Sequence, residues 1–170
     1  EQYALQANMT DVGAALHILI GQEPAELATP LLADFYQRWQ GDAQVVDQWF
    51  AMQAGANLTG RLPYVKALLE HAAFDIRNPN KVRSVVGSFI RSAINFHAAD
   101  GSGYEFVADM VLRLDASNPM MAANLAKPLG RFKRHTQHRQ QLMQAQLERL
   151  NQAELSKDVF EVVSKALVIN

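Results

Sequence analysis

Residues 78–119 read NPNKVRSVVGSFIRSAINFHAADGSGYEFVADMVLRLDASNP, and this stretch decides the fold. It is bracketed by Asn78-Pro79 and Asn118-Pro119. In each pair a capping amide precedes a proline at the first helical position, where the missing N–H costs nothing and the fixed φ already suits a helix. Between them, Gly101-Ser102-Gly103 breaks the chain, and Asp100 and Ser102 are placed to cap a helix beginning near Tyr104.

Outward from that stretch the signal stays helical. In Val45-Val46-Asp47-Gln48-Trp49-Phe50-Ala51-Met52 the apolar positions recur at spacings of three and four, as do Leu142, Met143, Ala145, Leu147 and Leu150. Strand-like alternation is scarce. Glu23-Pro24 is a weaker helix start, because Glu is a poorer cap. Gly41-Asp42 and Gly60 are breaks, and Ser156 caps a last helix running to about Val168. These signals predict about eight or nine helices of two to four turns joined by short loops. The expected fold class is all-α: an α-solenoid or superhelix of short paired antiparallel helices. With no clean sequence period and no composition shift, residues 1–170 read as one continuous domain.

Bulk properties narrow the field. A chain of 170 residues can bury roughly 70% of its unfolded surface. Its 49% hydrophobic content argues against disorder, and its net charge of -1 supplies no global attraction to nucleic acid or an anionic membrane. There is no cysteine, so disulfides and thiolate metal sites are excluded; a reducing, cytoplasmic setting is compatible with that. No run approaches a membrane span. Asn8-Met9-Thr10 and Asn57-Leu58-Thr59 fit the glycosylation triplet, a pattern that chance produces often. Glu1-Gln2-Tyr3-Ala4-Leu5 reads as the continuation of an earlier segment, so a longer polypeptide is expected.

Five constellations invite chemistry, and each has a plainer explanation. His135 and His138, three apart, would share one helix face and an ion, but they lack a third ligand and sit among Lys133, Arg134 and Arg139. His97, Asp100 and Ser102 suggest a catalytic triad, yet Ser102 lacks the strained elbow that presents a nucleophile, and capping explains it better. The Gly-Ser-Gly N–H groups could receive an anion, a weak signal. In Arg131–Arg139 the simplest arrangement is a solvated basic face with Phe132 packed inward, not a nucleic-acid surface. Phe35, Tyr36, Trp39, Trp49 and Phe50 stand at helical spacings and read as core between two paired helices. No catalytic and no metal-binding residue is expected in this chain.

Several elements in order resemble the C-terminal helical domain of bacterial aminopeptidase N, in the zinc-dependent His-Glu-x-x-His peptidase family. Asn8-Met9-Thr10-Asp11, Val46–Gln53, Asn78–Ser84, Phe96–Tyr104 and Leu155-Ser156 onward carry the resemblance, with Gln48 replacing the family's usual lysine. It implies the C-terminal helical domain of a larger multi-domain enzyme that releases N-terminal residues from short peptides. In that family the helical domain caps and lines an internal substrate cavity. Zinc and the catalytic residues would lie outside this chain, and its partners would be the catalytic and N-terminal domains of the same polypeptide together with peptide substrates. Arg83, on the NPNxxR position, is the one candidate site residue, a guanidinium facing the cavity that would attract a peptide's carboxylate. A structural arginine bonding helix ends is the plainer role. Asn124 stands where some members carry a second arginine. The alternative is a stand-alone helical-repeat module that binds a protein or peptide.

Overall fold

The computed structural model describes residues 9–21 and 28–168, so the Glu23-Pro24 start, Asn8 and Glu1–Leu5 lie outside the described residues. The described residues are helical, with no strand among them. In chain order they form α1 (Met9–Ile20), α2 (Ala28–Trp39), α3 (Ala43–Ala54), α4 (Leu62–Leu69) and α5 (Pro79–Val82). A π-helical turn (Arg83–Gly87) follows, then α6 (Ser88–Arg91), α7 (Ala93–Phe96), α8 (Ser102–Asp115) and α9 (Pro119–Ala126). A 3₁₀ segment (Leu129–Arg134), α10 (Gln137–Asn151) and α11 (Lys157–Val168) complete the described chain. The all-α expectation holds. Helices are more finely divided than expected, because Ser92 adopts extended backbone (ψ 90°) and separates α7 from α6.

The local stop and start signals act as their chemistry demands. Asn118 Oδ1 accepts the Met121 N–H at 3.1 Å, with Pro119 opening α9. Asp42 Oδ1 accepts from Gln44 N and Val45 N at 2.9 and 3.2 Å, capping α3. Ser156 Oγ accepts from Val159 N at 3.4 Å at the start of α11.

By its contacts the chain divides into two compact units, residues 1–75 with 80–92, and residues 76–79 with 93–170. In the first, α3 packs against α1, α2, α4, the π turn and α6. Its inward face supplies Val45, Val46, Trp49 and Phe50, all buried, and Trp49 Nε1 donates to the Leu32 carbonyl of α2 at 2.9 Å. Phe35 is buried as well, so Phe35, Trp49 and Phe50 are core between α2 and α3, with Tyr36 and Trp39 half-buried at its edge. Lys81, only 8% exposed, donates to Asp47 Oδ1 at 2.7 Å, joining the NPNK element to the VDQWF element. A buried ammonium needs such a partner.

In the second unit α8 packs on α7, α9 and α10, while α11 packs on α9, α10 and the 3₁₀ segment. The tight spot is the FHAADGSGY corner. Gly101 has φ +77°, a left-handed conformation that side chains resist. A Cβ on Gly103 would stand 2.5 Å from the carbonyl oxygens of both Asn95 and Phe96, so only hydrogen fits there. Tyr104, fully buried, then packs edge-on against Phe96 with ring centroids 5.2 Å apart.

Candidate functional site

The corner that holds His97, Asp100 and Ser102 settles what those residues do. The Ser102 hydroxyl donates to Asp100 Oδ1 at 2.7 Å, and the Ser102 N–H reaches the same oxygen at 3.0 Å. These bonds hold the Asp100 carboxyl below its ordinary range. His97 turns elsewhere: its Nδ1 lies 2.8 Å from the Tyr104 hydroxyl. Burial raises the Tyr104 phenol's pKa, against the nearby Arg139 charge, so the hydroxyl keeps its proton, and the His97 tautomer sets which of the two groups donates. Asp100 therefore takes the first N–H of α8, Ser102 is that helix's first residue and not its cap, and no base stands on the serine.

His135 and His138, set aside as a metal pair on their sequence surroundings, do not share a helix face. His135 closes the 3₁₀ segment in extended backbone (φ -113°, ψ 173°) and is not on the helix that carries His138. Its ring lies against His97, centroids 4.4 Å apart, while His138 Nε2 donates to the Ala99 carbonyl at 2.9 Å. Among the described residues no group of three His, Asp or Glu side chains converges as a metal site requires. They do not fit a zinc ion. The basic run behaves as a solvated face: Phe132 is buried, Arg131, Lys133 and Arg134 are exposed, and Arg139 closes on the His97 carbonyl at 3.2 Å. Among the described residues no helix is long and apolar enough to cross a membrane.

Arg83 opens the π turn, exposed, and Nη1 donates to Asn80 Oδ1 at 3.1 Å. A π turn inserts an extra residue into the helix and swings the following side chains around its axis, a feature common at functional sites. The same helical run carries a second exposed arginine that sequence reasoning missed. Arg91 Nη2 donates to Ser88 Oγ at 2.7 Å, and Arg91 lines a cavity of about 510 Å³ in the first unit, together with Ser88, Asn57, Gln48, Met52 and His17. Arg83 does not line it. Another cavity of this unit, about 440 Å³, is largely apolar and is walled by Tyr36, Trp49, Tyr64, Leu68 and His71. His71 Nδ1 accepts the Ala73 N–H at 3.1 Å, and burial lowers its pKa.

Known proteins match this arrangement closely. Residues 1–168 match the family described as a domain of unknown function with ARM repeats (DUF3458_C). Aminopeptidase N of Haemophilus influenzae is 47% identical over 163 residues, covering 94% of this chain and 18% of that protein. Aminopeptidase N of Escherichia coli K12 is 40% identical over 170 residues, 98% of this chain and 19% of that protein. The crystal structure of Legionella pneumophila aminopeptidase A in complex with aspartic acid aligns with a TM-score of 0.92 at 37% identity, covering 98% of this chain and 20% of that one. The chain thus spans about a fifth of the curated relatives it matches. ARM repeats are α-solenoid units, the class expected from the sequence, and the resemblance drawn from NPNKVRS and FHAADGSGY holds. The chain belongs to the DUF3458_C family of ARM-repeat domains.

Proposed function

We propose that the chain is the C-terminal helical domain of a zinc aminopeptidase that hydrolyses N-terminal residues from short peptides in the cytoplasm. The observation that carries this is 47% identity, across 94% of the chain, to an aminopeptidase of which it spans only 18%. The domain contributes no catalytic residue. Zinc, when bound, supplies its chemistry from ligands elsewhere in the parent polypeptide, whose catalytic and N-terminal domains are this domain's partners. The domain's own work is to limit access to the internal cavity and to line it, so that peptides are positioned and folded proteins excluded. Residues 1–170 act in this as one continuous domain. Arg83 offers an exposed guanidinium for the substrate's carboxylate end.

The test is the native product that contains these residues, sequenced by mass spectrometry from source cells and assayed on an N-terminal leucyl anilide. A polypeptide several times longer, with His-Glu-x-x-His upstream of Glu1 and chelator-sensitive activity, is the expected result. Residues 1–170 expressed alone are expected to be inactive. A native product of this size alone would overturn the proposal and leave a stand-alone helical binding module.

A further inference from the structure

The 440 Å³ cavity of the first unit joins an apolar body to a buried cation. Its volume is in the range of ligand pockets, about 300–1,000 Å³. Tyr36 of α2, Trp49 of α3 and His71, just past α4, pack ring against ring, with centroids 4.9, 4.8 and 5.0 Å apart. With Leu32 and Leu68 they make a wall suited to a flat apolar group. Among the described residues that line the cavity there is no Asp or Glu.

Arg61, at the start of α4, is the positive charge of this cavity and is only 7% exposed. Its guanidinium lies over the Tyr64 ring, 4.6 Å from the centroid, and Nη2 donates to the Gln53 carbonyl at 3.5 Å. These two contacts are neutral, and burial works against the charge, pulling the Arg61 pKa down. An anion in the cavity would offset that cost with a charge-assisted pair. His71 adds a donor. Because its Nδ1 accepts the Ala73 N–H, the neutral ring carries its proton on Nε2, and no described residue accepts it.

We infer that this cavity binds a small aromatic monocarboxylate, with its ring against Tyr36 and Trp49 and its carboxylate on Arg61. No acidic side chain stands there for an ammonium, so a free amino acid fits less well than an acid without one. One guanidinium matches one carboxylate, whereas the second charge of a phosphate would go unmet. The inference goes beyond the aminopeptidase reading and does not depend on it. The ligand is a free acid and not a peptide end, and the cavity is distinct from the one that Arg91 lines.

The native polypeptide that contains these residues tests this by ligand-observed NMR titration. The probes are 3-phenylpropionate, its uncharged amide, and acetate, which lacks the ring. The acid is expected to bind about tenfold more tightly than the amide, the gain from one charge-assisted contact, and acetate not measurably. In Arg61→Gln the preference for acid over amide falls to near one, and Arg61→Lys restores part of it. Ala67→Trp puts an indole into the cavity from an exposed position of α4, so the fold is spared, and it abolishes binding of acid and amide alike. Should Arg61→Gln fail to fold, Ala67→Trp decides alone. Equal binding of acid and amide by the wild type overturns the site. So does acid binding that survives Ala67→Trp, or the lack of saturable binding at millimolar ligand. Peptidase activity of the same preparation is read separately, so the failure of either reading leaves the other standing.

Discussion

In the first unit Arg83 and Arg91 are held by neutral oxygens, Asn80 Oδ1 and Ser88 Oγ. In the second, Arg149 meets Asp109 at 2.7 Å, Arg139 closes on the His97 carbonyl, and Asp115 is taken up entirely by Ser156. The same residue types serve opposite ends. Where polar groups satisfy one another they fix the packing of helices; where a charge is oriented by a neutral partner it stays available to a ligand. The comparison teaches that the motif richest in chemical-looking residues, HAADGSGY, is architecture, while the plainer SVVGSFIRS carries an exposed arginine held by a neutral hydroxyl.

Two glycines put the largest energies on that contrast. Gly103→Ala drives a methyl into two backbone carbonyls at 2.5 Å, and backbone cannot rotate away as a side chain can. The expected cost is about 3 kcal/mol or more. Gly87→Ala meets only Arg91 Nη1 at 3.7 Å and Arg83 Cβ at 3.9 Å, ordinary contacts, and gains helix propensity of up to about 1 kcal/mol. Urea unfolding followed by helicity measures both. A Gly103→Ala variant as stable as wild type would mean that the α7–α8 corner is looser than described.

The Asp115–Ser156 link comes next in size. Asp115, 5% exposed, accepts the Ser156 N–H at 2.7 Å and the Ser156 hydroxyl, pinning the start of α11 to the end of α8. Asp115→Ala leaves the N–H and hydroxyl unpartnered and is expected to cost about 2 kcal/mol. Ser156→Ala removes only the hydroxyl bond, since the backbone N–H still reaches Asp115 Oδ2, and the double variant should be less damaging than the sum of the two. Strict additivity in this cycle would show that the two residues do not act as a pair.

How much of this the sequence displays follows from range. Helix starts are legible because capping is local: Asn118 reaches only Met121, and Asp42 only Gln44 and Val45. The inward turn of Phe132 and the aromatic core of α2 and α3 follow from periodicity. The shared face imagined for His135 and His138 assumes a helix, and the chain is extended at His135. Asp115 and Ser156 are 41 positions apart and have no signature. The Arg91 cavity draws on α1, α3 and α6, so only the folded chain reveals it. The π turn that carries Arg83 leaves no trace in the residues that form it.

Acid sensitivity is the subtlest contrast, and it falls on one histidine in each unit. Burial depresses the pKa of both His71 and His97 below the ordinary value of about 6.5. A histidine held neutral in the fold contributes stability that is complete above the unfolded pKa. That stability is lost as pH falls through 6.5 toward the folded value. The routes differ. At His71 protonation also turns Nδ1 into a donor facing the Ala73 N–H, a partner that cannot reverse. At His97 the partner is the Tyr104 hydroxyl, which can accept as well as donate, but the His135 ring and Arg139 add charge repulsion. Salt screens repulsion between partly exposed charges and leaves desolvation largely untouched. Unfolding midpoints between pH 8 and 5 should therefore slope less in His97→Gln and in His71→Gln than in wild type. Adding salt should flatten only the part of the slope that His97→Gln removes. If salt acts equally on both variants, charge repulsion is not what distinguishes the His97 corner, and burial alone sets both histidines.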